Sequence, residues 1–445
     1  MTKYLKLSLI LLFLVQLLVA GNFDLAHDEA YYWLFSKNLD WGYFDHPPFM
    51  AMVIKFFSFL PHSEISVRIG FIILQFLTLF ILLRLTDPKR HKIVAILFFA
   101  FPLASLTGLL AIPDMPLLFM TACYCYGLRD YFEKKDLYSA AKLGVIIPLL
   151  LYAKYHGILL IFFTILACPK ILLRRDFYLV ALISVIVFLP HIYWQYKHDF
   201  STLHYHFVER PSAKFSTHRV FEYLGIQLAL AGVFVGPVVW WIVIKFKPDS
   251  SFDRAMKFIS IGTVLFFLLS SFSKKVESNW TIFLAVPLIY LVANSSLWEK
   301  FWVKRLLYTS ASFVILARVL FIVPYEYSSL KRINEFQGWR KWTHKVKAMC
   351  GDREIMANTY QVASKLSYYL NQNVPALNLY SRKNQFDYWL FQNDLKTQDV
   401  CYLTDKIEFT GLAAFTPDGK EIKVIKNVKL VDLLKLKEKD RSRKN

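Results

Sequence analysis

Charge and backbone flexibility are what this chain is short of. Only 19% of its 445 residues are charged, and 15 glycines stand against 40 phenylalanines and 25 tyrosines. So little glycine excludes a collagen-like or linker-rich chain, and a hydrophobic content of 56% excludes disorder. Soluble domains carry about 25% charged and about 45–50% apolar residues, so a chain with mean hydropathy +0.37 is not a string of them. Cysteine is scarce too. The five (Cys123, Cys125, Cys168, Cys350 and Cys401) show no metal-type spacing. There is no internal repeat, and no strand, Gly-rich loop and helix in the order that nucleotide binding needs.

What the chain has instead is long apolar runs. The first extends from Leu7 to Ala20; others lie near 66–84, 91–112, 115–131, 139–153, 156–168, 177–196, 219–244, 256–272, 280–297 and 304–324. At about 20 residues per crossing these predict an all-α polytopic membrane protein of about eleven transmembrane helices. The first run resembles a signal peptide, but Gly21-Asn22-Phe23 is a poor cleavage site and further runs follow, so it reads as an uncleaved helix.

A net charge of +20 would ordinarily point to nucleic acid. Here the basic residues fall in short clusters between apolar runs: Lys3/Lys6, 89–92, Lys134-Lys135, Lys170/Arg174/Arg175, Lys245/Lys247/Arg254 and Lys300/Lys304/Arg305. With eleven crossings all six lie on one side, which the positive-inside rule makes cytoplasmic. The N-terminus is then inside, the region from Pro324 onward is outside, and the expected partner is a lipid bilayer and not nucleic acid. Of the eleven histidines only His91 falls on the cytoplasmic side. Acids and histidines therefore gather on the outer face, where chemistry is expected.

The chain divides into a membrane part, 1–325, and a polar segment, 334–445. In the latter, Glu354–Ala357 and Asp399–Leu403 read as short strands and Tyr360–Leu370 as a helix, predicting a small extracytoplasmic α/β domain. Cys350 and Cys401 lie in it and are able to pair if it faces an oxidising compartment.

The first outer loop, 21–65, reads as amphipathic interfacial helices rich in Tyr and Trp. Asp28-Glu29 opens one of them. Two adjacent carboxylates at a membrane surface suit a base whose pKa is pushed away from its neighbour's; they equally suit a solvated helix N-terminus. In Asp45-His46-Pro47-Pro48 the prolines stiffen the backbone, fitting Asp45 and His46 to act as acid, cation or metal ligand, or simply to form a polar turn. Asp114 has almost no polar loop around it, and an ionisable residue at such depth is a functional candidate, though an N-cap is also served by it. Lys154 and His156, His204, His206, Glu209 and Arg210, and Lys274-Lys275 add positive charge to the same face, or snorkel to lipid phosphate.

The ordered set Asp28-Glu29-x-Tyr-Tyr, Gly-Tyr-Phe-Asp-His-Pro-Pro at 42–48 and Pro-Asp-Met-Pro-Leu at 113–117 resembles the bacterial protein-O-mannosyltransferase-like enzymes of the GT-C superfamily, which also contains the aminoarabinose transferases of lipid A. That resemblance covers the first two-thirds of the chain. It implies inverting transfer of a sugar from a polyprenyl-phosphate-linked donor, a co-substrate held in the membrane, to an acceptor on the non-cytoplasmic face of the bacterial inner membrane. The acceptor class is lipid A or lipopolysaccharide, a glycolipid, a polysaccharide or a protein. It further implies catalytic roles for Asp28 and Asp114 and metal and phosphate binding at Asp45 and His46; the chemistry of the residues themselves adds Glu29 as a catalytic candidate, Lys154 and Arg210 beside His46 on the donor phosphate, and His206 beside Asp45 for a divalent metal ion. Tyr31 and His46 stand where the lipid A branch carries Arg and Lys. From other classes, a flippase for polyprenyl-linked glycans predicts inverted-repeat symmetry and charges deep in mid-chain helices, and a glycan polymerase or ligase differs in using a diphosphate-linked donor.

Overall fold

The structure is a computed structural model that describes residues 3–204, 215–318, 334–389, 399–406 and 410–442. Each of the eleven apolar runs is occupied by helix: Lys3–Ala20, Glu64–Leu85, the pair His91–Ala100 and Pro102–Leu106, Asp114–Lys134, Leu137–Ala153, Ile158–Ala167, Arg175–Lys197, the pair Thr217–Leu230 and Gly236–Lys245, Ser251–Ser271, Ala285–Asn294 and Phe301–Ala317.

A uniform length of about 20 residues does not hold. Among the described residues, Lys3–Ala20, Glu64–Leu85 and Arg175–Lys197 are each long and apolar enough to cross a bilayer; Pro88–Ala100 and Pro102–Leu109, bent by 88°, make a fourth if taken as one broken span. The breaks have local causes. Pro102 has no N–H to give and holds Phe101 extended (φ −85°, ψ 111°), which ends the preceding helix. The carbonyls around this break are met by side chains: Gln75 Nε2 donates to Ala104 O at 2.6 Å and Ser105 O at 2.7 Å. Arg318 Nη2 donates to Ser105 O and Oγ, both at 2.6 Å. Broken helices survive at membrane depth only with such replacement partners. The 219–244 run divides at Gly232, whose φ of +121° no L-residue adopts comfortably.

Beyond the helices, β1 (Ile355–Ala357), β2 (Asp399–Thr404), β3 (Leu412–Phe415) and β4 (Glu421–Lys429) form one sheet in the order β1-β2-β4-β3. β1 runs parallel to β2, and the other pairings are antiparallel. A disulfide joins Cys350, at the end of the Trp339–Cys350 helix, to Cys401 in β2. Alkylation under denaturing, non-reducing conditions is expected to label only Cys123, Cys125 and Cys168, the free thiols. A mass shift for five labels would refute the bond.

The apolar core is continuous between the helical bundle and this sheet: Tyr31, Trp33 and Phe35 of the first loop share it with Val362, Leu366 and Tyr368. Main-chain groups of the first loop are also bound from the C-terminal side. Asp24 N donates to Phe336 O at 2.8 Å, and Trp339 N donates to Asp24 Oδ2 at 2.7 Å. His27 N donates to Glu335 Oε1 at 2.9 Å, Leu25 N to Tyr369 Oη at 2.9 Å, and Lys365 Nζ to Leu25 O. Farther along, Gln385 N donates to Tyr31 Oη and Phe44 N to Gln385 Oε1, both at 2.7 Å. The first loop is thus fixed by residues more than 300 positions away.

Candidate active site

The His27–Lys37 helix begins without a side-chain cap, because Ala26 has none to offer. Glu29 supplies the reciprocal half of a capping box, taking the Ala26 N–H on Oε2 at 2.8 Å. Its carboxylate also receives Arg68 Nε (2.8 Å) and Nη2 (2.6 Å), and the Ala111 N–H at 2.8 Å. Arg68 spends its other donors on Ala20 O, Phe23 O and Asp24 O, at 2.6 to 2.9 Å. Both side chains are fully buried. Five guanidinium N–H groups and four carboxylate lone pairs are all used. Glu29, expected as a catalytic acid, is therefore the anchor of this helix and not a group facing substrate.

One residue earlier, and so about 100° around the helix, Asp28 faces the other way. It reaches a cavity of about 680 Å³ whose polar wall also carries Asp45, His46, Asp114, Lys154 and Asn279. Leu151, Ile158, Leu159, Phe188, Phe266 and Phe267 add apolar lining, and Ile158 and Phe266 are about half exposed.

Four of the expected residues meet here in two sets. Lys154 Nζ donates to Asp114 Oδ1 at 2.9 Å, and Asn279 Nδ2 to Asp114 Oδ2 at 3.1 Å. Asp114 and Lys154 are both buried. In the second set Tyr31 Oη donates to Asp45 Oδ2 at 3.0 Å, and Arg382 Nη1 lies 3.2 Å from Asp45 Oδ1. Tyr360 Oη donates to Asp28 Oδ1 at 3.3 Å. His46 lines the cavity with its ring edge-on to Tyr32 at 5.6 Å.

Asp28 is open to the cavity but surrounded by protein on its other sides. That burial pushes its carboxyl up to about 6, helped by the negative charges of Glu335 and Asp45 and opposed by Tyr360 and Arg382. Burial also raises Asp45, against the pull of Arg382 and Tyr31.

Of the two expected metal ligands the described residues include only Asp45. The Asp45 oxygens face a guanidinium and a phenol, and no group of three or more His, Cys, Asp or Glu is arranged for a cation among the described residues. His206 and Arg210, with Glu209, lie outside the described residues. Asn279, which carries no charge signal, escaped sequence reading, and Tyr360, read as the start of a helix, gave no sign of its contact with Asp28, 332 residues away. Arg68 did give a signal, an arginine inside the apolar run 66–84, which Arg84 closes.

Residues 45–194 match the dolichyl-phosphate-mannose-protein mannosyltransferase family. The chain is 24% identical over 309 residues to the lipid A galacturonosyltransferase RgtD of Rhizobium johnstonii, covering 64% of this chain and 65% of that protein, just short of two-thirds of its length. The fold follows ArnT from Cupriavidus metallidurans, solved with undecaprenyl phosphate bound, over 96% of this chain and 98% of that one (TM-score 0.68, 12% identity). The chain has the GT-C fold. An oligosaccharyltransferase of Archaeoglobus fulgidus shares the GT-C fold more distantly, with a TM-score of 0.51 and 11% identity over 91% of this chain and 70% of that one. The family match begins at Asp45 and contains Asp114 and Lys154. Asp28 and the C-terminal residues that brace it lie outside it.

Proposed function

We propose that this chain is an inverting glycosyltransferase that moves a sugar from a polyprenyl-phosphate carrier to lipid A or a related acceptor, on the extracytoplasmic face of the inner membrane. The observation that carries this reading is one large cavity whose lining joins an apolar set of residues to a polar set at Asp28. A prenyl chain suits the first set and a phosphate-linked sugar the second. The family match and the RgtD relationship support the reaction class and a lipid A acceptor.

In this reading the acceptor hydroxyl gives its proton to the Asp28 carboxylate while its oxygen attacks the anomeric carbon. The bond from that carbon to the phosphate oxygen breaks, and polyprenyl phosphate leaves with the electron pair. Attack from the face opposite the phosphate inverts the anomeric centre. The negative charge that develops on the phosphate is met by Lys154, which Asp114 and Asn279 hold in place, and by an N–H of the His46 ring. Arg210 is proposed to join them. One such preorganised contact contributes about 10²–10³ in rate. The chain is read as crossing the bilayer eleven times, N-terminus inside, with 334–445 outside; the Cys350–Cys401 bond supports an oxidising compartment for that segment.

A base works only when deprotonated. With Asp28 at about 6, kcat/KM is expected to be flat above that pH and to fall about tenfold per pH unit below it. A pH profile that stays flat down to 4.5 removes Asp28 from the role of base. The reading as a whole is tested by incubating the purified chain in nanodiscs with undecaprenyl-monophosphate sugars and lipid A. Mass spectrometry should find a glycosylated lipid A; no transfer from any monophosphate donor overturns the reading.

A further inference from the structure

Nine residues after Asp28, and so about 180° around the same helix, Lys37 faces away from the donor cavity. It lines a separate small cavity of about 20 Å³, together with Lys55 at the end of the Phe49–Phe56 helix and Ser66 in the first turn of Glu64–Leu85. That volume takes one oxygen-sized group, so a ligand that enters leaves the rest of itself outside.

The donors around this cavity exceed the acceptors the chain gives them. Lys37 Nζ sits 5.0 Å over the Trp33 ring, and neither lysine has a carboxylate partner among the described residues. No acid lines the cavity. Ser36 Oγ and Ser66 Oγ donate to Trp33 O and Ser63 O, both at 2.7 Å. The Ser58 hydroxyl, also in the lining, has its proton unspent among the described residues. Two ammonium groups and a hydroxyl thus border a space for one oxygen, and the group they match is an anionic oxygen. Both lysines are exposed and lie in the first outer loop, where the positive-inside rule gives no reason for a basic pair.

The surroundings decide which anion. Phe56 and Phe59, next in sequence to Lys55 and Ser58, are 71% and 74% exposed, and Met52, one turn before Phe56, is 41% exposed. Large apolar side chains this bare suit acyl chains, and cations beside them suit the headgroup layer. A phosphate with acyl chains attached meets both at once. A headgroup that carries its own ammonium fits less well, since no carboxylate lines the cavity to receive it.

We propose that Lys37, Lys55 and Ser58 bind the phosphate of an anionic phospholipid in the outer leaflet, one non-bridging oxygen entering the cavity while Phe56 and Phe59 lie among the acyl chains. The helix that carries Asp28 is then tied at its other end to the headgroup layer, which fixes the depth of its carboxylate. The inference needs the first loop at the bilayer surface but not the transferase reading, and its failure leaves that reading standing.

The test is photolabelling of the full chain in phosphatidylcholine nanodiscs, doped with phosphatidylglycerol or phosphatidylethanolamine that carries a diazirine at the top of one acyl chain. Mass spectrometry reads the label on residues 52–59 and, as an internal reference, on the basic segment 300–305 of the cytoplasmic face. At a low dopant fraction the label tracks affinity. Phosphatidylglycerol is expected to label 52–59 about fivefold more than phosphatidylethanolamine does. A lysine beside a surface phosphate contributes about fivefold, so Lys37→Gln combined with Lys55→Gln should cut that label about 25-fold. The label on 300–305 should stay within about twofold, which shows that the variant is folded. Lys37→Arg combined with Lys55→Arg should keep the wild-type label. Equal labelling by the two lipids, or a glutamine variant labelled like wild type, overturns the assignment. So does a loss that arginine fails to prevent, or displacement of the label by lipid A at equal mole fraction.

Discussion

Asp28→Asn is expected to lower transfer by about 10²–10⁴-fold while undecaprenyl phosphate binds as tightly as before. The substitution keeps the shape of the side chain and an oxygen to accept the Tyr360 hydroxyl, now 3.3 Å from Asp28 Oδ1. It removes only the capacity to take a proton. The anchoring of the helix does not pass through Asp28, because Glu29 and Arg68 carry it. A collapse in kcat with an unchanged melting temperature therefore reports chemistry and not folding. Transfer at the wild-type rate would take the base role from Asp28.

Arg68→Leu should do the opposite, acting on the fold first. It strands the Glu29 carboxylate in a site with no solvent access, and breaking a buried pair by removing one partner costs about 3–5 kcal/mol. It also deprives the carbonyls of Ala20, Phe23 and Asp24 of their donor. Thermal unfolding followed by loss of monodisperse protein in detergent is the measure, with a large fall in midpoint expected. Arg68→Leu combined with Glu29→Leu should recover part of the loss, since no charge is then left buried. The recovery stops short of wild type because the Ala26 and Ala111 N–H groups lose their acceptor. An Arg68→Leu protein that melts like wild type would show that the pair holds nothing together.

Much of the architecture was legible because hydropathy is a one-dimensional signal. Each of the eleven runs, read from composition alone, is filled by helix. Their lengths were not legible, since the break at Phe101-Pro102 and the reversal at Gly232 interrupt runs that are apolar throughout. At the site, Asp28, Asp45, His46 and Asp114 stood out by carrying polar or charged groups at the ends of apolar runs, and the cavity collects all four. The difference between Asp28 and Glu29 was invisible. It depends on which way each faces around one helix and on an arginine 39 residues away. Lys154 was noticed as a free cation for phosphate; its pairing with Asp114 spans 40 residues and needs the fold to be seen. Arg382 illustrates the same limit: nothing in its polar segment tells that it ends 3.2 Å from Asp45.

The hydrogen bonds that tie residues 24–44 to 335–385 bear on how such a protein can be recombined. Two stretches at opposite ends of the chain behave as one inherited part. A chimera that takes only the segment after residue 334 from a relative should inherit a mismatched brace and a misplaced Asp28. Exchanging 21–65 together with 334–445 should keep the helix that carries Asp28 seated. A graft into this chain is then made as a pair, with the bundle between serving as the chassis.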